Sequence, residues 1–341
     1  MVNTRKDQDA IKSAENAVGD HTNDDWQVTP HQYPAQLTET APHLAEFLSD
    51  SLFIEKAKRF ETADTLAVDY QGRFKRRARH ASISIFVAAA ATAFLSSVPM
   101  LEPFIGKVMP HFSLAGGIVV FVASGMALFN TQMIGQLKLY EQWMRNRAKA
   151  EQARLSYFGE AAQRLVKGEV GELPPQCLLE FCAFFHRYQL QMQQNYFEGR
   201  SLQHADSLRK TARIGAIAAV VVAAFSGSAG LAGYFDTHLM DFASLGTIGV
   251  ALSALSSRLE SINQDERNAS RYSATAEILS QIAEKYSSVQ RSLVRGGKPE
   301  ILLNFVKAVN EQLASEHREW TEDTTEISKA YNELLKAEEP A

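Results

Sequence analysis

The chain has 341 residues, with 35 Lys and Arg against 39 Asp and Glu, so its formal net charge is −4. This balance excludes a strongly basic nucleic-acid-binding protein, and 22% charged with 45% hydrophobic residues is ordinary for a folded chain. Two cysteines, Cys177 and Cys182, are too few for a disulfide framework and lack the spacing of a zinc or redox motif. We therefore expect reduced thiols on a helix.

The N-terminal segment, residues 1–42, is polar, contains several prolines and shows no hydrophobic periodicity. Such a composition predicts a mobile polar tail. It holds no apolar stretch of the kind that forms a secretory signal peptide. We therefore expect the first apolar block of the chain to act as its own membrane-insertion signal.

Four apolar blocks without a charged residue dominate the chain. They cover residues 81–101, 112–137, 214–235 and 242–257, which is 21, 26, 22 and 16 positions. Because a hydrocarbon core of about 30 Å needs about 20 helical residues, three blocks are long enough to span and the fourth is short. A core helix of a soluble bundle would usually keep a polar stripe. The blocks therefore predict four transmembrane helices in an all-α integral membrane protein.

Basic residues lie at one end of each block, whereas the two predicted hairpin loops hold only Lys107 between them. This positive-inside bias predicts that both termini are cytoplasmic and both loops lie outside. The flanking basic residues are Arg73, Lys75, Arg76, Arg77, Arg79, Lys138, Arg145, Arg147, Lys149, Arg209, Lys210, Arg213, Arg258, Arg267 and Arg271.

The chain also repeats itself at a spacing of about 124–127 residues. After each hairpin an R-x-x-A-x-A-E string recurs, from Arg145 to Glu151 and from Arg271 to Glu277. A Gly/Pro break then follows, and P-x-x-L-L-x-F recurs from Pro175 and from Pro299. These matches predict two parallel hairpin repeats rather than the inverted repeats of many transporters.

The predicted organisation follows from these breaks. A first repeat covers residues 43–167, a linker 168–175, a second repeat 176–295 and a C-terminal cytoplasmic helix 299–341. Each repeat consists of a cytoplasmic helix, two spans and a second cytoplasmic helix. The apolar positions from Ala269 to Tyr286 alternate by three and four, which is typical of a coiled-coil seam. The partner of that seam is another chain or helices of the same chain, and the two are compatible.

No catalytic, cofactor-binding or metal-binding constellation stands out, so we do not expect an enzyme. Ser226–Gly230 lacks the first glycine of a nucleophile elbow, and the histidines occur singly. The spans hold no ionisable residue, which argues against a proton-driven carrier. The fourth block is nevertheless too polar to face lipid comfortably. Its pore-lining candidates are Ser244, Thr247, Gly249, Ser253 and Ser256, with Glu102, Asp236 and Asp241 as acids at the outer mouths.

The basic run Arg73, Lys75, Arg76, Arg77 and Arg79 has two interpretations. It could contact RNA, but its position just inside a span favours anionic lipid headgroups. We therefore expect the lipid bilayer, and not nucleic acid, as the partner of this run.

The chain resembles the SLATT class of bacterial membrane domains in three features. These are a basic flank, a two-span hairpin, and a long helix with an aromatic/Arg…Ala-Glu string. The resemblance covers residues 176–320 best and 60–167 more weakly. It implies a pore-forming effector in the bacterial inner membrane that acts in conflict or antiviral defence, often beside a nucleotide-sensing module. The chain departs from the class in carrying two hairpins and no recognisable sensor domain. The residues that carry the resemblance are Trp143, Arg145, Glu151, Arg187, Gln191, Tyr196, Phe197, Arg271, Tyr272, Glu277, Val309, Glu311, Leu313, Glu316 and Trp320.

Two functional hypotheses follow. The first is a non-enzymatic pore-forming or membrane-perturbing effector that forms a homo-oligomer through its cytoplasmic helices and responds to a cytoplasmic sensor or regulatory protein. The second is a non-conducting membrane scaffold that docks a cytoplasmic partner. A transporter would need a binding site at the membrane midplane, and the sequence offers none.

Overall fold

The computed structural model describes the backbone of residues 2–98, 106, 109–168, 174–235 and 243–337, and the side chains of 5–98, 106, 109–168, 174–227 and 244–319. Helices account for almost all of these residues, and no strand occurs among them, so the predicted all-α class is confirmed. The helices are α1 Val2–Val18, α2 Tyr33–Leu37, α3 Pro42–Leu48, α4 Ser51–Ser97, α5 Met109–Gln136, α6 Leu139–Lys167, α7 Pro175–Phe185, α8 Met192–Phe235, α9 Ala243–Asn263, α10 Asp265–Ala283, α11 Tyr286–Val294 and α12 Glu300–Ala337.

The chain divides into two compact units. Unit 1 comprises Met1–Val68, Trp143–Ser201 and Ser270–Ala341, and unit 2 comprises Asp69–Gln142 and Leu202–Ala269. The long helices α4 and α8 each contribute residues to both units. The predicted boundary at residue 168 therefore does not separate the units, because each unit takes segments from both proposed repeats.

An aromatic core holds unit 1 together. The short helix α7 is apolar on almost every side, and its Phe181, Phe184 and Phe185 are fully buried. Phe184 packs edge-on against Tyr33, with ring centroids 5.1 Å apart, and Phe185 packs against Phe305 at 5.9 Å. Because such pairs combine a large buried area with favourable ring geometry, the aromatic side chains of α7 stabilise the core of unit 1.

The prediction of a mobile tail over residues 1–42 is wrong. This segment forms α1, two short 3-10 turns at Asp25–Gln27 and Pro30–Gln32, and α2. Tyr33 and Leu37 are 2% exposed and belong to the core of unit 1. The segment is ordered because its few apolar side chains reach a core built by distant parts of the chain.

Charged contacts also anchor the N-terminal segment. The Arg187 guanidinium donates two hydrogen bonds to the Asp25 carboxylate, at 2.9 and 2.7 Å. Gln290 donates to the Glu15 carboxylate at 3.0 Å, and Arg295 pairs with Asp7 at 3.1 Å. Arg187 belongs to a π-helical turn, His186–Gln191, between α7 and α8. A carboxylate with a bidentate arginine partner can be buried at a modest desolvation cost.

The three-four seam from Ala269 to Tyr286 finds its partners within the chain. Leu279 is fully buried in the unit 1 core, in the same cluster as Phe158 and Leu165 of α6 and Leu313 of α12. Of the two partners considered, the structure therefore supports packing within the same chain.

Two helix pairs are joined by a short break that contains a residue with left-handed backbone. Leu137 and Lys138 separate α5 from α6, with φ 46° at Lys138, and Gln264, with φ 53°, separates α9 from α10. The glycines of the predicted breaks have the same backbone hand, with φ 66° at Gly168 and 72° at Gly296. Glycine commonly ends a helix in this way, whereas Lys and Gln adopt it only at a cost.

Candidate functional site

Exposed apolar side chains of unit 2 form a candidate interaction surface. Two helices of the described residues, α4 and α5, are long and apolar enough to cross a membrane. Only 11% of the most apolar window of α5 is buried, and 22% of that of α4. A core helix of a soluble protein would show the opposite. Large exposed side chains on these two helices are Ile83, Ile85, Val87, Phe94, Phe112, Leu114, Ile118, Val119, Phe121, Val122, Met126, Leu128 and Phe129.

The third and fourth apolar blocks lie partly outside the described residues. α8 contains the third block, whose side chains are described only as far as Gly227, and exposed Ile217 and Val220 lie within it. α9 begins at Ala243 and contains the fourth block. The two additional spans that the sequence predicts therefore stay predictions.

One face of α9 packs closely on α8. A Cβ built on Gly249 would lie 2.8 Å from the Ala218 carbonyl oxygen and 2.9 Å from the Val222 amide nitrogen. One turn earlier, a Cβ on Gly246 would lie 3.2 Å from the Ser226 hydroxyl oxygen. Ser256 is buried on the same face and donates a hydrogen bond of 2.9 Å to the Thr211 carbonyl oxygen. Small residues of this kind let two helix backbones approach closely in a membrane.

The opposite face of α9 is open and unusually polar for its position. Its exposed residues recur at helical spacing, so they form one stripe along the helix: Thr247, Val250, Ser253, Ala254, Ser257, Arg258 and Ser261. From Leu114 to Phe129, by comparison, Ser124 is the one exposed polar side chain of α5, whereas His111, Ser113, Gln132 and Gln136 are exposed nearer its ends. A stripe that is half hydroxyl is poorly suited to lipid and well suited to water or another protein.

The five predicted pore-lining residues therefore lie in three different environments. Thr247 and Ser253 lie on the open stripe, whereas Gly249 and Ser256 are buried against α8. Ser244 is half-buried and hydrogen-bonds to Ser97 of α4. The predicted outer-mouth acids Glu102, Asp236 and Asp241 lie outside the described residues.

The basic residues predicted to touch lipid headgroups lie on α4, directly before the apolar segment that begins at Ala81. Arg73, Arg76 and Arg79 are exposed, and Arg73 pairs with Asp69 at 3.4 Å. Arg77 is half-buried with its guanidinium 5.9 Å from the centre of the Phe129 ring, and Lys75 is half-buried as well. Arg209 and Arg213 on α8 and Arg258 on α9 are also exposed beside apolar segments.

A second candidate site is a buried ionic cluster in unit 1. Glu151 of α6 is 6% exposed and pairs with Arg147 at 2.6 Å and with Arg154. Arg147 also pairs with Asp64 of α4 at 3.3 Å. A further pair joins α10 to α12, since Arg271 lies 3.5 Å from the Glu316 carboxylate and both side chains are largely buried. We call this set, together with His317, the ionic cluster.

Burial and charge set the protonation of the ionic cluster. Burial by itself would raise the pKa of Glu151, but the two guanidiniums outweigh it and hold that pKa below its usual range. Burial raises the pKa of Glu316 to about 7, and Arg271 offsets only part of that effect. Burial also lowers the pKa of His317, although Glu151 opposes the shift.

Two of the four repeat-motif residues belong to the ionic cluster, namely Glu151 and Arg271, while Arg145 and Glu277 are exposed. The repeated string therefore contains two residues of the ionic cluster and two that lie outside it. Arg147, Arg154 and His317 were missed. The only available signal was charge at helical spacing, which is more common on solvated helix faces.

The cysteines are free, as expected, and buried in α7. Burial raises the pKa of Cys177 to about 12, and it also raises the pKa of Cys182. A thiol with a raised pKa is a poor nucleophile and metal ligand, so this pair belongs to the core rather than to a reactive site.

The comparisons with known proteins are sparse. A family model described as "Protein of unknown function (DUF4231)" matches residues 62–158. The match runs from α4 through α5 into α6 and ends within the first proposed repeat. No curated protein and no solved structure matches the chain.

Proposed function

We propose that the chain is a non-enzymatic, membrane-embedded effector that assembles as a homo-oligomer and opens a polar path through the bilayer. The observation that carries this proposal is the contrast between exposed surfaces of unit 2. Between Leu114 and Phe129 the exposed side chains of α5 are apolar except for Ser124, whereas the open stripe of α9 carries Thr247, Ser253 and Ser257. A stripe of this kind gains from facing water or a second copy of the chain rather than lipid.

Four membrane helices in two parallel hairpins complete the proposal, with both termini on the cytoplasmic side of a bacterial inner membrane. The weak membrane signal of α4 and α5 supports the first hairpin. The equivalent left-handed breaks at Lys138 and Gln264, 126 positions apart, support a second copy of the same unit. The exposed Arg73, Arg76 and Arg79 would then contact anionic headgroups on the cytoplasmic face.

The likeness to SLATT domains supports an effector role in bacterial conflict or antiviral defence. A cytoplasmic sensor or regulatory protein would then act on unit 1, since this unit contains most of the charged and buried polar contacts. Cation preference would come from Glu102, Asp236 and Asp241 at the outer mouths.

Ion release from vesicles tests this proposal. The purified chain is reconstituted into vesicles of mixed anionic and zwitterionic phospholipid, and potassium and chloride release are measured separately. We expect release to fall at least about tenfold in Ser253→Leu, because the larger apolar side chain narrows and dries the path. The matched control is Ser124→Leu, an exposed hydroxyl on α5, which should leave release unchanged.

Two outcomes contradict the pore. The first is a wild-type chain that releases no more ion than empty vesicles over the tested range of pH and protein density. The second is equal release by wild type and Ser253→Leu. If the chain nevertheless stays in the vesicle membrane, the non-conducting scaffold takes the place of the pore.

A further inference from the structure

The ionic cluster joins four long helices of unit 1. Asp64 comes from α4, Arg147, Glu151 and Arg154 from α6, Arg271 from α10, and Glu316 and His317 from α12. Tyr196 of α8 and Tyr272 of α10 lie close enough to influence its charges. With the exception of α12, these helices adjoin the apolar segments directly or through a break of one or two residues that includes a left-handed one.

Among the described residues the cluster holds three arginines, namely Arg147, Arg154 and Arg271, and three carboxylates, those of Asp64, Glu151 and Glu316. Glu151 is held ionised by two guanidiniums at short range, whereas Glu316 has the single, longer contact to Arg271. Of these carboxylates, Glu316 therefore loses the least stabilisation by the protein when it moves into water.

Neutral contacts hold the same part of α12 in place. Asn310 donates a hydrogen bond of 3.2 Å to the Leu155 carbonyl oxygen of α6, and Leu313 is buried in the unit 1 core. These contacts keep Glu316 inside as long as α12 is packed. Outward movement of this helix would carry the carboxylate into water.

We propose that the ionic cluster is a proton-linked joint, in which Glu316 takes up a proton from solvent when α12 packs against α6 and α10 and returns it when α12 moves outward. As a regulator of ion release this joint rests on the proposed function, but the packing of α12 can be measured without it.

The direction of the effect follows from linkage. Burial raises the pKa of Glu316 to about 7 in the packed state, whereas the ordinary value of 4.5 applies in water. The packed state therefore binds more protons between these two values, and packing weakens as the pH rises through that window. Above about pH 7 Glu316 is ionised in both states, so a further rise in pH no longer changes the packing of α12.

His317 acts in the opposite direction. Burial lowers its pKa, so the packed state prefers the neutral imidazole and is weakened as the pH falls below the ordinary value of 6.5. Comparison of the wild type with Glu316→Gln removes this contribution, since His317 is present in both proteins. Glutamine keeps the shape of the side chain but cannot ionise.

Hydrogen exchange measured by mass spectrometry tests the joint. The full-length chain in detergent micelles is exchanged at pH 6 and pH 8, and peptides within residues 300–319 are corrected for the intrinsic exchange rate at each pH. We expect the opening constant of the wild type relative to Glu316→Gln to rise about tenfold between these values. Glu311→Gln is the control, because Glu311 is exposed on the same helix and should behave as the wild type.

An opening ratio that is equal at pH 6 and pH 8 overturns the joint. If Glu316→Gln fails to pack at either pH, the wild type alone decides, since its opening should still rise about two- to fourfold between pH 6.5 and pH 8.5. A flat or falling value in that range overturns the proposal. Ion release is not read in this experiment, so failure of the pore leaves its result intact, and failure of the joint leaves the pore intact.

Discussion

Among single residues, Arg187 has the clearest structural role. Its guanidinium joins the π-helical turn to Asp25 and also donates to the Val18 carbonyl oxygen. A Cβ on Gly19 would lie 2.8 Å from the same guanidinium, which shows how closely the segment wraps around it. Arg187 therefore stabilises the packing of the N-terminal segment within unit 1.

Arg187→Ala should release the N-terminal segment and lower the unfolding free energy by about 2 kcal/mol, because it leaves the buried Asp25 carboxylate without its partner. Urea unfolding in detergent and limited proteolysis after α1 measure the two effects. Arg59→Ala is the control, since the Arg59–Glu55 pair is exposed and should contribute less than about 0.5 kcal/mol. Equal losses for the two variants would contradict this role.

The same contact has a defined pH dependence. Burial would raise the pKa of Asp25, but hydrogen bonds from Arg187 and Thr22 outweigh it and hold the value at about 2, below the ordinary 3.8. This stabilisation is therefore present above about pH 3.8 and lost as the pH falls toward 2. Wild type should lose protection of α1 over that window. Arg187→Ala should show little further loss there.

Sequence reasoning missed the contacts of single residues because their partners are remote. Asp25 and Arg187 are 162 positions apart, and although Arg187 is among the residues that carry the SLATT resemblance, nothing in the sequence pairs it with Asp25. Glu151 and Arg271 were found through the repeated string, but their burial depends on helices that come together only in the fold. Charge at helical spacing cannot distinguish a buried ion pair from a solvated face.

Among the helices, the close approach of α8 and α9 depends on Gly249. Gly249→Leu should separate these helices and destabilise unit 2 by about 1–3 kcal/mol, because its side chain would overlap the backbone of Ala218 and Val222. Thermal unfolding in detergent measures the loss. Gly125→Leu on α5, where a Cβ meets nothing within 4 Å, should cost less than about 0.5 kcal/mol. The opposite order would contradict the packing.

At the two left-handed breaks we expect a substitution to raise the stability of the chain rather than lower it. Lys138→Gly and Gln264→Gly should each stabilise the chain by about 1 kcal/mol, because glycine adopts positive φ without a steric cost. Lys149→Gly, in the exposed interior of α6, should destabilise it by about 1 kcal/mol. Chemical unfolding compares the three variants. Destabilisation by glycine at both breaks would show that the helix pairs are not strained there.

Helix positions were largely predictable and helix breaks only partly so. The predicted span 112–137 matches α5 at Met109–Gln136, because a long apolar block has one stable conformation in lipid. The breaks at Gly168 and Pro175 followed from residue type. Nothing in the types of Lys138 or Gln264 indicates a left-handed residue, so these breaks became visible only in the backbone.

At the scale of the whole molecule, the two units differ in what surrounds them. Unit 1 has an aromatic core, paired charges and an ordered N-terminal segment. Unit 2 exposes large apolar side chains, including Phe121 at 80% of its surface. A surface of this kind is costly in water and favourable in a hydrocarbon environment. The proposed membrane role of unit 2 therefore requires lipid as the solvent of these side chains.

Membrane extraction of the full-length chain tests this dependence most directly. Membranes from cells that express the chain are washed with alkaline carbonate and then with mild detergent, and the chain is followed in each fraction. We predict that it stays in the membrane pellet through the carbonate wash and is released only by detergent. A chain that appears in the soluble fraction without detergent, and remains monodisperse there, would contradict the account.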